Sequence, residues 1–179
     1  MATILSHLIL PSDRFPNSAI LPVVIHRQAF ASSPDLADEM ERRFHANGWG
    51  NSWRNGLYRF HHYHSQAHEA LGVYSGWVEV QLGGETGTVL RLEAGDALIL
   101  PAGMAHRQNA ASADFKILGA YPPGQFPDMN MGTPAELAAA FPTIAALPRP
   151  ATDPVTGKAG GLMERWSCPS PPENRIELL

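Results

Sequence analysis

His62-Tyr63-His64-Ser65-Gln66-Ala67-His68-Glu69, followed by Ala70-Leu71-Gly72-Val73-Tyr74-Ser75-Gly76, is the stretch that decides how this chain folds. His62 and His64 stand two apart, so on a strand both rings point to one face. A short connection brings Glu69 to the head of a second run, on the same face as Leu71 and Val73. Imidazoles and a carboxylate converging from neighbouring strands are metal-ligand chemistry. A fourth candidate, His106, comes just after Pro101-Ala102-Gly103. Together these residues predict a metal site inside a small β-barrel.

Outward from that stretch, Leu57 to Tyr121 reads as consecutive strands. Leu57–His64 and Glu69–Tyr74 are the first two, and Ser75-Gly76 turns the chain. Trp77–Leu82 alternates, with Val78, Val80 and Leu82 on one face and Glu79 and Gln81 on the other. Gly83-Gly84-Glu85-Thr86-Gly87 is a hairpin loop by composition. Thr88–Leu92, Asp96–Leu100, His106–Asn109 and Phe115–Tyr121 complete the series, with turns at Glu93-Ala94-Gly95 and Pro101-Ala102-Gly103. Short strands at near-regular spacing indicate an all-β sandwich or barrel. Leu71, Val73, Val78, Val80, Leu82 and Ile99 are its expected inner face.

The flanks are sparser. Residues 2–10 predict a strand with Ile4, Leu8 and Leu10 on one face, and Val23-Val24-Ile25 a second. Residues 34–46 predict a helix: Ser33 suits the cap, Pro34 the first helical position, and Gly48 the stop. Leu36, Met40 and Phe44 form its apolar stripe, so it lies on a surface. Residues 48–56, rich in Gly, Asn and Trp, read as a turn-rich connection anchored by Trp49 and Trp53, or more sharply as a loop shaping a pocket at the barrel rim. Beyond Tyr121, Thr133-Pro134-Ala135-Glu136 is a capping box that predicts a short helix to about Phe141. A turn is expected at Asp153–Gly157, Leu162 and Trp166 should pin the tail to the barrel, and residues 167–179 should be loosely ordered.

The 179 residues suit one domain, 1–179, with a real core. A net charge of −4 with scattered Lys and Arg gives no basic stripe, so nucleic acid is not an expected partner. Cys168 is the sole cysteine, which excludes an intrachain disulfide and fits a reducing compartment. No apolar run approaches the roughly 20 residues of a membrane helix. The opening segment lacks a basic stretch and His7 interrupts it, so no secretory signal is expected. The expectation is a soluble, cytoplasmic protein.

Written as spacings, the chain has Gly56, five residues, His62-x-His64, four residues, Glu69, six residues, Gly76. Later it has Gly95, five residues, Pro101-x-Gly103, two residues, His106. This resembles the cupin superfamily, whose two motifs carry these spacings. The first motif matches in full. The second departs at its end, where the family pattern has an asparagine at the position of Ala110 and this chain has Asn109 one residue early. That asparagine is not a ligand in the family pattern, so the departure bears on local strand geometry. The arm and tail look like those of small single-domain bacterial cupins. The resemblance implies a double-stranded β-helix, or jelly-roll barrel, over about residues 54–122. An arm and one surface helix (1–53) precede it, and a short helix with an irregular tail (123–179) follows. It also carries the metal-ligand roles onto His62, His64, Glu69 and His106.

Such a site leaves open positions for water, dioxygen or a bidentate substrate. Nitrogen and oxygen donors without thiolate suit Fe, Mn, Ni, Zn or Cu. The expected ligand is a small organic molecule. Three functions follow: a metal-dependent enzyme (a dioxygenase or other oxidoreductase, then an isomerase), a metal-bearing binding or sensing module, and a structural barrel. Catalytic residues beyond the metal ligands are not evident. Gln108 shares a face with His106 and is a candidate pocket residue, whereas His61 should point outward and His68 would serve only if its strand began one residue out of register. A thiol dioxygenase would want a base or tyrosine near the metal, for which Arg59, Arg91, Arg107 and Tyr74 are available. Cupins often pair through N-terminal strands, so the arm at 2–10 suggests a homodimer, the alternative being pairing within its own chain.

Overall fold

Alternation of apolar and polar residues becomes two antiparallel sheets in the computed structural model, which describes residues 3–167. In chain order come β1 (Thr3–His7), β2 (Val23–Arg27), helix α1 (Leu36–Ala46), β3 (Gly50–Asn55), β4 (Glu69–Ser75), β5 (Trp77–Leu82) and β6 (Thr88–Glu93). β7 (Ala97–Leu100), β8 (His106–Ala111), β9 (Lys116–Tyr121), α2 (Pro134–Ala146) and α3 (Gly161–Ser167) follow. One sheet has the order β1-β2-β7-β4-β9-β3, the other β6-β5-β8. Between them Leu71, Val73, Val78, Val80, Leu82, Leu98, Leu100 and Ile117 form one buried cluster. This is the double-stranded β-helix that the family resemblance implied.

The larger sheet is covered on its outer side as well. Leu36, Met40 and Phe44 of α1 pack there on Val24, Ala70, Ile99 and Leu118, joined by Val155, Leu162 and Trp166. Burial of both faces explains why Ala97-Leu98-Ile99-Leu100 is apolar throughout rather than alternating. It also corrects one expectation. Leu98 pairs with Leu71 and Leu100 with Glu69, so those two share the inner parity and Ile99 faces α1. Gly72 lets the helix sit close: a Cβ there would lie 3.0 Å from Met40 Sδ and 3.3 Å from Phe44 Cζ.

Other boundaries also differ from the sequence expectation. Residues 48–56 hold a strand, β3, paired among the described residues with β9 alone and irregular between Gly50 and Trp53, where Asn51 has φ 50°. Its turn-forming residues hid it, because a bulged edge strand tolerates Gly and Asn. The stretch 57–64 is not a continuous strand. His62 makes an isolated bridge to His106 and Tyr63 one to Asn130, yet the inward–outward alternation survives. α1 begins at Leu36, with Asp35 at its cap position and no side-chain cap bond. The capping box of Thr133 and Glu136 forms, but α2 runs on through Pro142 to Ala146 because its alanines favour helix. The tail after it is not wholly irregular, since it includes α3. β1 stops at His7 and leaves Leu10 exposed. Of residues 167–179, expected to be loosely ordered, Ser167 ends α3, and Cys168 with the rest of 168–179 lies outside the described residues.

The turn at Asp153–Gly157 forms, and it is a buried anchor. Asp153 Oδ1 accepts from the Val155 and Thr156 amides (2.7 and 3.0 Å), and Oδ2 from the Leu162 amide (2.7 Å) and His26 Nε2 (2.8 Å). The side chains of His26 and Asp153 are 1% and 0% exposed. Burial opposes the Asp153 charge, but His26 and the amides outweigh it and hold the carboxyl below its ordinary value. Asp153→Ala leaves these donors buried without a partner, and urea unfolding at pH 7 should show a loss of about 3 kcal/mol. A carboxyl depressed on folding stabilises above its unfolded value of about 3.9 and ceases to do so as pH falls through its lower folded value. The gap between wild type and variant should therefore narrow below about pH 3; a constant gap would refute the assignment.

Candidate metal centre

Three chain reversals bring the site together. β4 opens on Glu69, which pairs with Leu100 of β7. The chain then turns at Gly103 (φ 90°), whose amide donates to His64 O (2.8 Å) and whose carbonyl accepts from the Asn17 amide (2.9 Å). β8 starts at His106, and its two backbone hydrogen bonds with His62 (3.0 and 3.2 Å) lock those residues side by side. His64 lies against the loop after β9, where Asp128 binds the Ser65 amide (2.7 Å), the Gln66 amide (3.1 Å) and the Ser65 hydroxyl (2.5 Å).

Each ring is oriented by a main-chain carbonyl. His62 Nδ1 donates to Phe60 O (3.3 Å), His106 Nδ1 to Met104 O (3.0 Å), and His64 Nδ1 to Asp128 O. With the rings neutral, that leaves each Nε2 as a free lone pair. One ring nitrogen from each of His62, His64 and His106 lies within 4.8 Å of the others, an arrangement that suits a metal ion. Glu69 reaches the same point: its Oε2 is 3.3 Å from His106 Nε2 and 3.5 Å from His64 Nε2. This oxygen is buried and has no hydrogen-bond partner. Acceptor atoms facing one another without a donor fit a cation between them.

A second layer fixes Glu69. Its Oε1 accepts from the Tyr121 hydroxyl (2.9 Å), which accepts in turn from Trp53 Nε1 (2.8 Å). The Trp53 indole fits because residue 119 is glycine, where a Cβ would stand 2.2 Å from Trp53 Cε2. Burial, with some help from the neighbouring Glu69 charge, pushes the Tyr121 hydroxyl well above its ordinary value. Burial lowers His62 to about 3, helped by His106 and His64. For His64, burial is outweighed by Glu69, and its value rises. Glu69 is held below the carboxylate range because the two imidazoles overcome its burial. A cavity of about 490 Å³ opens over the four side chains, with Trp53, Leu57, Tyr58, Tyr121 and Met129 in its wall. The apolar residues Leu71, Val73, Val78, Val80 and Leu82, expected to form the pocket, fill the barrel beneath it instead.

The remaining candidates fall elsewhere. His61, expected to point outward, is instead buried (9% exposed) against Phe15, and burial takes it to about 4. His68 is also buried, accepts from the Ala102 amide (2.9 Å) through Nδ1, and rests on Trp166. Gln108 lies outside the cavity wall; its backbone amide donates to Tyr58 O (2.8 Å). Arg91 stacks on Trp77, Arg107 binds Gln81, Arg59 is exposed, and Tyr74 packs on the outer core. Arg54 is in the wall, tied to Asp38 (2.6 Å) and Glu41 (2.5 Å). Sequence reasoning missed Tyr121 and Asp128, which meet the site only through long-range pairing, while Trp53 falls in the segment flagged as a pocket rim.

A carboxylate and three imidazoles held between the sheets of a double-stranded β-helix define a β-barrel protein with a metal-type donor cluster. Residues 56–121 match the cupin domain family model. The chain is 40% identical over 157 residues to the "Uncharacterized protein YjlB" of Bacillus subtilis (strain 168), across 87% of this chain and 93% of that protein. It belongs to the cupin superfamily. Among solved structures, a DUF861 family protein from Thermotoga maritima is 22% identical with a TM-score of 0.34, over 54% of this chain and 96% of that one. The DMSP lyase DddQ from Ruegeria pomeroyi DSS-3 is 18% identical with a TM-score of 0.36, over 73% of this chain and 51% of that one. No helix of the described residues is long and apolar enough to cross a membrane.

Proposed function

We propose that His62, His64, Glu69 and His106 hold one divalent transition-metal ion, with which the protein acts on a small organic molecule. One observation carries this reading: buried Glu69 Oε2 has no hydrogen-bond partner and faces two imidazoles that already donate from Nδ1. The donor set suits Fe(II), Mn(II), Ni(II), Zn(II) or Cu(II). Such an ion supplies Lewis acidity or, where redox-active, electron transfer. The chain does the rest. Carbonyls of Phe60, Met104 and Asp128 fix the imidazole tautomers, and Tyr121 takes one oxygen of Glu69 so that the other faces inward. The activity favoured is a dioxygenase-type oxidation, with isomerisation as the alternative reaction.

One feature favours a second reading, a metal-dependent binding or sensing module without turnover. In the cavity wall the Tyr121 hydroxyl, the Arg54 guanidinium and the Asp128 carboxylate are all engaged, so none is free to move a proton for a substrate. We also propose a homodimer. β1 pairs with β2 within its own chain and ends its sheet, and its other edge is suited to a partner's strand.

Elemental analysis after loading at pH 7.5 should find one ion per chain. His106→Ala and Glu69→Gln should weaken uptake by more than the roughly 10- to 100-fold that a supporting residue costs, and Tyr121→Phe by about 10-fold. The ion should leave as pH falls towards about 6 and below, because His64, raised by Glu69 against its burial, takes up a proton there while His62, lowered by burial to about 3, does not; full occupancy after dialysis at about pH 4 would sink the site. Oxygen uptake by Fe(II)-loaded protein over a panel of catechols, diketones and thiols separates the two functions: metal-dependent consumption supports the enzyme, and binding without consumption the sensing module. Sedimentation at micromolar concentration should give twice the chain mass, and a single-chain mass rejects the dimer.

A further inference from the structure

Two aromatic rings beside the centre are more exposed than packing explains. Tyr58 is 54% exposed and Phe60 42%, yet they stack on each other with centroids 4.8 Å apart and planes 25° apart. Tyr58 lines the cavity and stands edge-on to His62 at 5.3 Å, while Phe60 stands 5.7 Å from the same imidazole. The pair is held in place from below. Tyr58 O accepts from the Gln108 amide of β8 (2.8 Å), and Phe60 O is the carbonyl that orients His62. The platform and one donor of the centre are therefore parts of one short piece of backbone.

The wall's charges are already satisfied. Arg54 is paired with Asp38 and Glu41. The Asp128 carboxylate takes the Ser65 and Gln66 amides, the Ser65 hydroxyl and Asn130 Nδ2 (2.7 Å). A ligand bearing a second charge on its body meets no free counter-charge in this wall. A flat apolar body in the cavity meets Tyr58, with Phe60 stacked behind it, and stacking and area burial both reward that contact.

We propose that Tyr58, backed by Phe60, selects the ligand of this centre: a molecule with a chelating head and an adjoining aromatic or similarly flat apolar body, which stacks on Tyr58 while the head meets the imidazoles. This rests on the metal reading above. Both side chains act on specificity and leave the donor set alone, because the bond that orients His62 comes from the Phe60 main chain.

The test uses Zn(II)-loaded protein and three probes with one chelating head: benzohydroxamate, acetohydroxamate and 4-carboxybenzohydroxamate. Calorimetry should show benzohydroxamate binding about 10-fold more tightly than acetohydroxamate, with the carboxylated probe weaker than its parent. In the double variant Tyr58→Ala, Phe60→Ala the preference should shrink to within about 2-fold while zinc content stays at one per chain. Tyr58→Leu, Phe60→Leu, which keeps apolar bulk without a flat face, should lose most of the preference too. Equal affinity of wild type for the first two probes, or a preference that survives both double variants, overturns the platform and leaves the metal site standing. Failure of the wild type to take up zinc overturns the metal reading and the platform together.

Discussion

Buried electron pairs that face one another are the constraint on which this molecule depends. Glu69 Oε2 and the Nε2 atoms of His64 and His106 sit 3.3 to 3.5 Å apart with no donor supplied by the protein to Oε2. Left so, the cluster is an electrostatic cost that the fold must carry. The surrounding structure holds it rather than relaxing it. Three main-chain carbonyls take the Nδ1 protons, and Tyr121 takes the other Glu69 oxygen. Every one of those contacts turns a ring or a carboxylate towards the same point.

That arrangement requires a rigid frame, and the frame is layered. The sheet carrying Glu69 is packed on both faces, by the barrel interior on one side and by α1 with the C-terminal segment on the other. Asp153 ties the C-terminal segment down through His26 of β2, so the outer layer is fastened by a buried polar pair as well as by apolar area. Trp49 adds a bond from its indole to Thr152 O (2.9 Å), and Trp166 one to Pro22 O (2.8 Å). Rigid scaffolding behind a site is what fixes side chains to within tenths of an ångström.

The departure of the second motif has a structural counterpart. The register between β5 and β8 slips between Glu79 and Val80: Glu79 faces Ala110 while Val80 faces Gln108. Asn109 is the extra residue, and it donates to Glu79 Oε2 (3.1 Å) across the bulge. An asparagine displaced by one position therefore coincides with one unpaired residue in the strand. His106 lies on the other side of the slip and keeps its place opposite Leu82.

Period-two alternation, turn residues and the spacing of His62, His64, Glu69 and His106 were enough to determine the barrel, its strand succession from Glu69 onward, and which four side chains meet. These features are local, and a strand's two faces follow from its own residues. Tertiary structure alone decided what stands behind and above that meeting point. β3 is hidden by Gly and Asn because an edge strand is specified by its partner rather than by its own propensity. Ile99 turns outward because the pairing of Leu98 with Leu71 sets the parity of β7. Trp53, Tyr121 and Asp128 reach the centre through contacts between residues 68, 52 and 64 positions apart in the chain. No pattern within a single strand encodes such distances; only closure of the sheets brings them together.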